Sequence, residues 1–438
     1  MSSGDTIVAA ATPLGFSGVA VLRVSGPLAF KIAKKITHRN KTMNRMATLV
    51  NIYGKEDERL DQAIITLFAS PFSYTGEDTV EVSSHGNPAL VEAIIAIICF
   101  HGARIAEPGE FTYRSFINGK IDLIQAEAVA SLIKSKSIQG AKEQQKILDG
   151  QLSKGVNKIR DDLIDLVSTF EYQLDISEED VAPSFEANAK QALNKLHKKT
   201  EKMSNTFSMG KMLNYGVSVV LTGPPNVGKS SLLNYICGEE KAIVSSTPGT
   251  TRDVVGAELI LDGVPLRFFD TAGIRDAIEP IEKEGVSRAV AYKEKADLVI
   301  SVSDTPQHEL ERDEEQPCVF VLNKADLHRE APPKPVIHIS CKKKTGLDLL
   351  LLEIKRSLNL HPLSSEVALL STPRQQAAVR ACSEHLVRAK NLFVASGFEL
   401  ELLSLELRGA IEALDILLGK TTPEDIINNI FKSLCVGK

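Results

Sequence analysis

The chain has 438 residues, with 51 Lys+Arg against 56 Asp+Glu and a formal net charge of −5. At about 150 residues per domain, that length predicts roughly three domains rather than one core. An apolar fraction of 43% and a charged fraction of 24% exclude wholesale disorder, and the mild acidity argues against a protein that coats long nucleic acid.

None of Cys99, Cys237, Cys318, Cys341, Cys382 and Cys435 falls in a C-x-x-C spacing, so reduced thiols are expected. No run reaches the ~18 apolar residues of a membrane span; the nearest, 89–100, carries Glu92. The first residues lack a basic stretch leading into an apolar one, and the end, Cys435-Val436-Gly437-Lys438, imitates a prenylation box only loosely. The expectation is a cytoplasmic protein without membrane attachment.

In chain order, 6–11, 19–24, 62–69 and 79–83 read as strands, being short, apolar or alternating, and bounded by Gly, Pro or Ser. Helices fit 28–36 and 88–101. From about 121 to 212 apolar residues recur at helical spacing, as in Leu123, Ala126, Ala130 and Ile133, then Leu148, Leu152, Val156 and Ile159. From 215 to about 360 strands and helices alternate, the pattern of a parallel sheet. Helical spacing returns over 375–434. Its last helix is opened by Thr422-Pro423-Glu424-Asp425, where Thr422 can cap and Pro423 suits the first turn. Helices on both sides of an α/β block predict a domain inserted into a helical one.

Gly223-Pro-Pro-Asn-Val-Gly228-Lys229-Ser230 fits the phosphate-loop pattern G-x-x-x-x-G-K-[ST] between a strand-like run, 217–222, and a helix-like one, 231–236. The glycines let backbone N–H groups face the phosphates, Lys229 reaches the β/γ-phosphates and the Ser230 hydroxyl ligates Mg²⁺. A second lysine-threonine pair, in Gly419-Lys420-Thr421, lacks the upstream glycine, since Leu414 stands there, and reads as a helix end. Asp270-Thr271-Ala272-Gly273 follows a strand at 266–269. Its aspartate can hold Mg²⁺ through water and its glycine N–H can sense the γ-phosphate. Asn323-Lys324-Ala325-Asp326 follows a strand at 318–322, and Asp326 can accept both guanine N1–H and N2–H₂, which adenine cannot supply. Ser340-Cys341-Lys342, after 336–339, occupies the place of a backbone loop that meets guanine O6. GTP is the expected nucleotide.

Where many GTPases carry a water-orienting glutamine after Asp-x-x-Gly, this chain has Ile274, so another group must act. Asp276, Glu279, Glu282 and Glu284 follow closely, and the residues alone do not choose among them. Arg252 and Arg275 are conceivable charge-stabilising fingers. A run without acids holds Lys31, Lys34, Lys35, Arg39, Lys41 and Arg45, and 190–202 is a second basic stretch; both are candidates for RNA phosphates.

Thr247-Pro-Gly-Thr-Thr-Arg-Asp253, together with Asn226, resembles the potassium-stimulated branch of the Era-like GTPases. Further runs narrow this: Ser73-Tyr-Thr-Gly-Glu-Asp78, Ser84-His-Gly86, Pro108-Gly-Glu-Phe-Thr112, Phe116-Ile-Asn-Gly-Lys-Ile-Asp-Leu123, Gln125-Ala-Glu127 and the terminal Cys-Val-Gly-Lys. Taken in order along the whole chain, they resemble the MnmE (TrmE) family of tRNA-modification GTPases.

The resemblance implies a fold of α/β plus α+β type. An amino-terminal α+β domain (1–118) binds 5-formyl- or methylene-tetrahydrofolate and dimerises, a discontinuous helical domain spans 119–214 and 361–438, and a Ras-like P-loop G domain is inserted at 215–360. It implies a homodimer that works with an MnmG-type flavoprotein in a heteromeric complex. Together they build 5-carboxymethylaminomethyl- or aminomethyl-uridine at the tRNA wobble position. GTP would lie against Asn226, Val227, Gly228, Lys229, Ser230 and Ser231. Further contacts are Ser245, Ser246, Thr247, Pro248, Gly249, Thr250 and Thr251, then Asp270, Thr271, Ala272 and Gly273, and finally Asn323, Lys324, Asp326, Ser340 and Cys341. Mg²⁺ would be held by Ser230 and Thr251, and K⁺ by Asn226, Ser245, Thr247 and Thr250, the ion standing where an arginine finger would put positive charge. Glu282 is the implied catalytic residue. Arg23, Glu81, Lys120 and Lys438 are the implied folate contacts, and Cys435 is a candidate for the modification chemistry. The alternative is an Era-like switch in ribosome assembly, which predicts an RNA-binding module after the G domain and no folate site. Small departures are Cys341 in place of alanine, and Asp175-Ile-Ser-Glu-Glu179 in place of Asp-Phe-Pro-Glu-Glu.

Overall fold

The computed structural model describes residues 4–40, 44–174, 185–238, 257–270, 296–305, 316–328, 336–360, 368–395, 400–432, 434 and 437. The chain divides into two compact units, one of 1–130, 147–201 and 377–438, the other of 131–146 and 202–376.

The first unit contains a six-stranded sheet. Its strands are β1 (Thr6–Ala10), β2 (Ser17–Ser25), β3 (Thr48–Tyr53), β4 (Arg59–Phe68), β5 (Thr79–Gly86) and β6 (Ala103–Ile105), in the order β3-β4-β5-β2-β1-β6. All neighbours are antiparallel except β1 and β6. Alternation along the strands sends Leu22, Val24, Ala63, Ile65, Val80 and Val82 to one face. There they meet Ile32 and Ile36 of helix Ala29–Thr37 and Val91, Ile94 and Ile98 of helix Pro88–Phe100. Asn87 caps the second of these helices, its side chain accepting from the Ala89 N–H, with Pro88 in the first turn. The residues between the core positions, Arg23 and Glu81 among them, are therefore turned to the opposite face.

Long helices complete this unit. In Gln151–Leu174 the buried Leu152, Val156, Ile159, Leu163, Leu166 and Phe170 form one stripe, and Leu403, Leu407, Ala410, Leu414 and Leu417 form another in Leu400–Leu418. Arg160 Nε donates to Asp415 Oδ1 at 2.5 Å between these two helices. Gly150, at φ +79, separates Ile138–Leu148 from Gln151–Leu174, so the periodicity that runs through Leu148 and Leu152 belongs to two helices. Gly419, at φ +87, follows Leu400–Leu418, in keeping with the expected helix end. Thr422 does something other than expected: its hydroxyl donates to the Ile416 carbonyl of the preceding helix at 2.7 Å, fastening the turn before helix Glu424–Lys432.

The second unit is built on β7 (Val217–Thr222), β8 (Ala257–Leu261), β9 (Val264–Asp270), β10 (Leu298–Ser303), β11 (Cys318–Leu322) and β12 (Val336–His338), in the order β12-β11-β10-β7-β9-β8. Only β8 runs antiparallel to its neighbour. Val219, Leu221, Phe268, Ile300 and Val321 join Leu232 and Ile236 of helix Lys229–Cys237, and Leu350 and Ile354 of helix Leu347–Ser357, in its core. Among the described residues no helix is long and apolar enough to cross a membrane.

Candidate nucleotide site and amino-terminal sheet face

The phosphate loop leaves β7 and enters helix Lys229–Cys237, whose first free N–H groups and positive dipole end face the loop. Three backbone requirements shape it. Gly223 (φ +136) lies where a Cβ would come within 2.0 Å of the Val302 carbonyl, and Gly228 (φ +92) where one would meet Asn323 Nδ2 at 2.2 Å. Asn226 takes the left-handed region at φ +62, which asparagine tolerates better than most residues. Lys229, 6% exposed, lays its ammonium on the Gly223 and Pro224 carbonyls at 3.0 and 2.8 Å. Ser230 Oγ donates to Asp270 Oδ2 at 2.8 Å, so the end of β9 and the start of the helix present two hard oxygen donors side by side. That pair suits Mg²⁺.

The Asn323–Asp326 segment is tied to this loop. Asn323, buried at the end of β11, donates from Nδ2 to the Val227 carbonyl at 2.9 Å and accepts at Oδ1 from the Cys341 N–H at 3.5 Å. Lys324, at φ +56, reaches the Asn226 carbonyl at 3.0 Å and Asp304 Oδ2 at 2.7 Å. The Ala325 N–H donates to the Ile339 carbonyl at 3.0 Å. Asp326 accepts from the Ser340 hydroxyl at 2.6 Å, and this bond holds its carboxyl below the ordinary carboxylate range. A cleft of about 630 Å³ opens here, lined by Asn226, Gly228, Ser231, Asn323, Asp326 and Cys341 among others. All these groups stand at the carboxyl ends of β7, β9, β10, β11 and β12, the edge where open parallel sheets bind ligands.

Asn226, Val227, Gly228, Lys229, Ser230, Ser231, Asp270, Asn323, Lys324, Asp326, Ser340 and Cys341 thus belong to one described unit. Ser245, Ser246, Thr247, Pro248, Gly249, Thr250, Thr251, Thr271, Ala272, Gly273 and Glu282 lie outside the described residues, as do Cys435 and Lys438. Asp304 escaped the sequence reading. It directly follows β10, whose end carries no recognisable motif, and its hydrogen bond to Lys324 lowers its pKa.

In the other unit the second face of the amino-terminal sheet carries an ion pair. Arg23 and Glu81 are cross-strand partners, and Arg23 donates to Glu81 Oε1 from Nε at 3.0 Å and from Nη2 at 2.7 Å. The guanidinium lies 5.5 Å from the Tyr74 ring centre and 5.8 Å from that of Phe111, and Nη1 is 3.5 Å from the Gly437 carbonyl. Gly437 (φ +93) sits where a Cβ would approach the Ala10 carbonyl to 2.2 Å, so the tail is pressed against β1. Burial raises the Tyr74 pKa, although its hydroxyl shares a hydrogen bond with Thr112 and Arg23 is near. Lys120 donates to the Pro71 carbonyl at 3.1 Å. The structure joins Arg23 and Glu81 directly, and it brings Gly437 of the tail to Arg23.

Beside this face runs a buried network that the sequence did not reveal. Glu110, fully buried, accepts from Arg104 Nη2 at 2.6 Å and Arg114 Nη2 at 3.0 Å. Arg114, 4% exposed, also engages Asp5 and Glu77, and Glu77 accepts from Ser25 Oγ at 2.7 Å. Glu77 and Glu110 come from the runs Ser73–Asp78 and Pro108–Thr112, so these motifs have a structural explanation of their own.

Comparison with known proteins extends over the whole chain. The model described as the MnmE helical domain matches residues 123–435, and that of the GTP-binding protein TrmE N-terminus matches 6–120. The tRNA modification GTPase MnmE of Histophilus somni (strain 129Pt) is 37% identical, aligned over 100% of this chain and 100% of its own. The chain belongs to the MnmE family. A second relative, the tRNA modification GTPase MnmE of Aquifex aeolicus (strain VF5), is 36% identical over 99% of this chain and 100% of its own. Among solved structures, the G domain of the T. maritima FeoB iron transporter is 26% identical over 32% of this chain and 98% of its own, with a TM-score of 0.24. MnmE-family membership agrees with an amino-terminal domain, a helical domain and an inserted G domain.

Proposed function

We propose that this protein hydrolyses GTP in the modification of tRNA. With an MnmG-type flavoprotein it would form 5-carboxymethylaminomethyl- or aminomethyl-uridine at the wobble position. The observation that carries the nucleotide half is the pairing of Ser230 with Asp270 and of Asp326 with Ser340 along one sheet edge. The full-length likeness to proteins named tRNA modification GTPase MnmE supports the tRNA half. Domain limits of 1–118, 119–214 with 361–438, and 215–360 belong to this reading, as does a cytoplasmic location. The test is nucleoside analysis of tRNA from a strain lacking the protein. Unmodified wobble uridine supports the proposal; a ribosomal-subunit defect with normal tRNA overturns it.

In this reading Lys229 neutralises the β/γ-phosphates and Asp326 selects guanine, while Ser230 and Thr251 would hold Mg²⁺, which would supply charge stabilisation at the γ-phosphate. K⁺ would be held by Asn226, Ser245, Thr247 and Thr250, where it would supply positive charge beside the phosphates. The exposed Asn226 supplies oxygen chemistry suited to such a cation. Replacing K⁺ by Na⁺ at constant ionic strength is expected to lower the hydrolysis rate, measured as phosphate release; equal rates would remove this role from Asn226. Glu282 orients the attacking water. Glu282→Ala is expected to lower the hydrolysis rate by about a hundredfold or more with nucleotide affinity unchanged. A parallel loss of affinity in a binding titration would make Glu282 structural instead.

A tetrahydrofolate is proposed to lie on the amino-terminal sheet face with Arg23, Glu81, Lys120 and Lys438 as contacts. The aromatic walls of Tyr74 and Phe111 and the carboxylate of Glu81 fit a flat heterocycle with N–H donors. Cys435 is kept as a candidate for the modification step. Homodimer formation is supported by apolar side chains left in solvent around the start of β2, where Phe16 is 89% exposed beside Leu14 and Val19.

A further inference from the structure

A second cleft in the amino-terminal domain, of about 420 Å³, has no part in either site above. Three separate elements build it: the end of helix Ala29–Thr37 with Lys34, Lys35 and His38, the end of β3 and the turn after it with Tyr53 and Lys55, and the end of helix Pro88–Phe100 with Phe100. Its rings and cations are interleaved. His38 stacks on Tyr53 with centroids 4.3 Å apart and planes 3° from parallel, and Lys55 Nζ stands 4.8 Å from the Phe100 ring centre. Phe100 is nevertheless 58% exposed, whereas Val91, Ile94, Ile97 and Ile98 of the same helix are buried.

Charge in the cleft is one-sided. Among the described residues its only lining carboxylate is Asp57, which His38 engages at 3.2 Å, and the neighbouring Glu58 is turned into its own turn, accepting the Glu56 N–H at 2.9 Å. Lys34 and Lys35 also complement the negative end of their helix, but that would hold on any exposed helix and does not account for Lys55 or the aromatic walls. Lysines spaced around exposed rings are the surface chemistry that receives single-stranded nucleic acid: ammonium groups meet phosphates and a ring takes an unstacked base.

We infer that this cleft is an RNA contact site that takes two or three backbone phosphates on Lys34, Lys35 and Lys55 and one splayed base against Phe100. The inference rests on the tRNA reading and specifies where on the amino-terminal domain the loop of that RNA docks.

The test uses the full chain and an unmodified tRNA transcript with uridine at the wobble position, with binding titrated at several salt concentrations. The triple variant Lys34→Gln, Lys35→Gln, Lys55→Gln is expected to bind at least about tenfold more weakly, with the slope of log affinity against log salt reduced by about 2. Phe100→Ala is expected to cost about tenfold with the slope unchanged. GTP hydrolysis without RNA should stay at the wild-type rate in both, and unchanged hydrogen exchange in β2 and β5 certifies that the amino-terminal sheet is folded. A control triple, Lys154→Gln, Lys158→Gln, Lys195→Gln, removes the same charge from exposed positions of long helices. An equal loss in that control overturns the site in favour of general charge. Wild-type affinity in the cleft variants overturns the site but leaves the tRNA reading standing. Absence of transcript binding by the wild-type protein brings down both. Loss of binding to vesicles of anionic phospholipid, with transcript binding retained, would reassign the cleft to a membrane surface and overturn it as well.

Discussion

Asp326→Asn is expected to weaken GTP binding by about a thousandfold or more while improving the binding of xanthosine triphosphate. Guanine presents N1–H and N2–H₂ toward this residue, and both need an acceptor. An asparagine amide would set its own NH₂ against those donors. Xanthine carries a carbonyl where guanine carries the amino group, and the amide can donate to it. The structure gives reason to expect a folded variant, because the Ser340 hydroxyl that now donates to Asp326 Oδ1 at 2.6 Å can donate equally to an amide oxygen. Competition titrations with the two nucleotides read the result. Retention of GTP affinity within about fivefold would dissociate Asp326 from base selection, since a hydrogen-bonding site that loses its acceptor discriminates far more strongly than that.

Arg114→Met is expected to destabilise the amino-terminal sheet by about 3–5 kcal/mol, because it removes a buried cation shared by three carboxylates. Glu110, with no exposed surface, would retain Arg104 alone, and Glu77 would lose an ion pair that Ser25 cannot replace. Hydrogen exchange in β1 and β2 is the appropriate measurement, since a chain of several domains has no single unfolding free energy. Exchange there should accelerate by about a hundredfold or more, and Arg114→Met combined with Glu110→Gln should recover part of the loss. Unchanged protection would show the network to be neutral.

Acid should act on the same network. Burial works to raise the Glu110 pKa, but the hydrogen bonds from Arg104 and Arg114 outweigh it and hold the group below its ordinary 4.5. A carboxylate depressed in the folded state contributes stability that is full above its unfolded pKa. That contribution is lost as pH falls below 4.5 toward the lower folded value. Wild-type protection should therefore drop through this acid range, and more steeply than in the Arg114→Met variant.

The motifs of the candidate nucleotide site are legible because phosphate and guanine recognition would impose fixed spacings on backbone-level chemistry. The strands 217–222 and 318–322 were expected with the bounds they have, since each is an apolar run that stops at its motif. Where the sequence misled, or fell silent, the reason is also physical. Helix Glu110–Ile117 was invisible to hydrophobic periodicity because its buried positions include Glu110, Thr112, Arg114 and Ser115 rather than an apolar stripe. In a sequence, a buried ion pair looks like two surface charges. β3 lies at the sheet edge with the exposed Leu49 and half-buried Asn51, and β6 has three residues, so neither carries a strong pattern. The basic run 31–45 was legible as charge. Its partners Tyr53, Lys55 and Phe100 were not, because only the fold brings those elements together.

The contact between Arg23 and the Gly437 carbonyl spans 414 positions of chain. Synthesis proceeds from the amino end, so the sheet can form while most of the protein is still unmade, and the tail that walls its second face must arrive last. A fragment ending near residue 120 would present the sheet with Arg23 and Glu81 but without that wall. Maturation of this face is thus a late event in the life of each molecule, timed by the docking of the carboxyl-terminal helices rather than by the folding of the sheet.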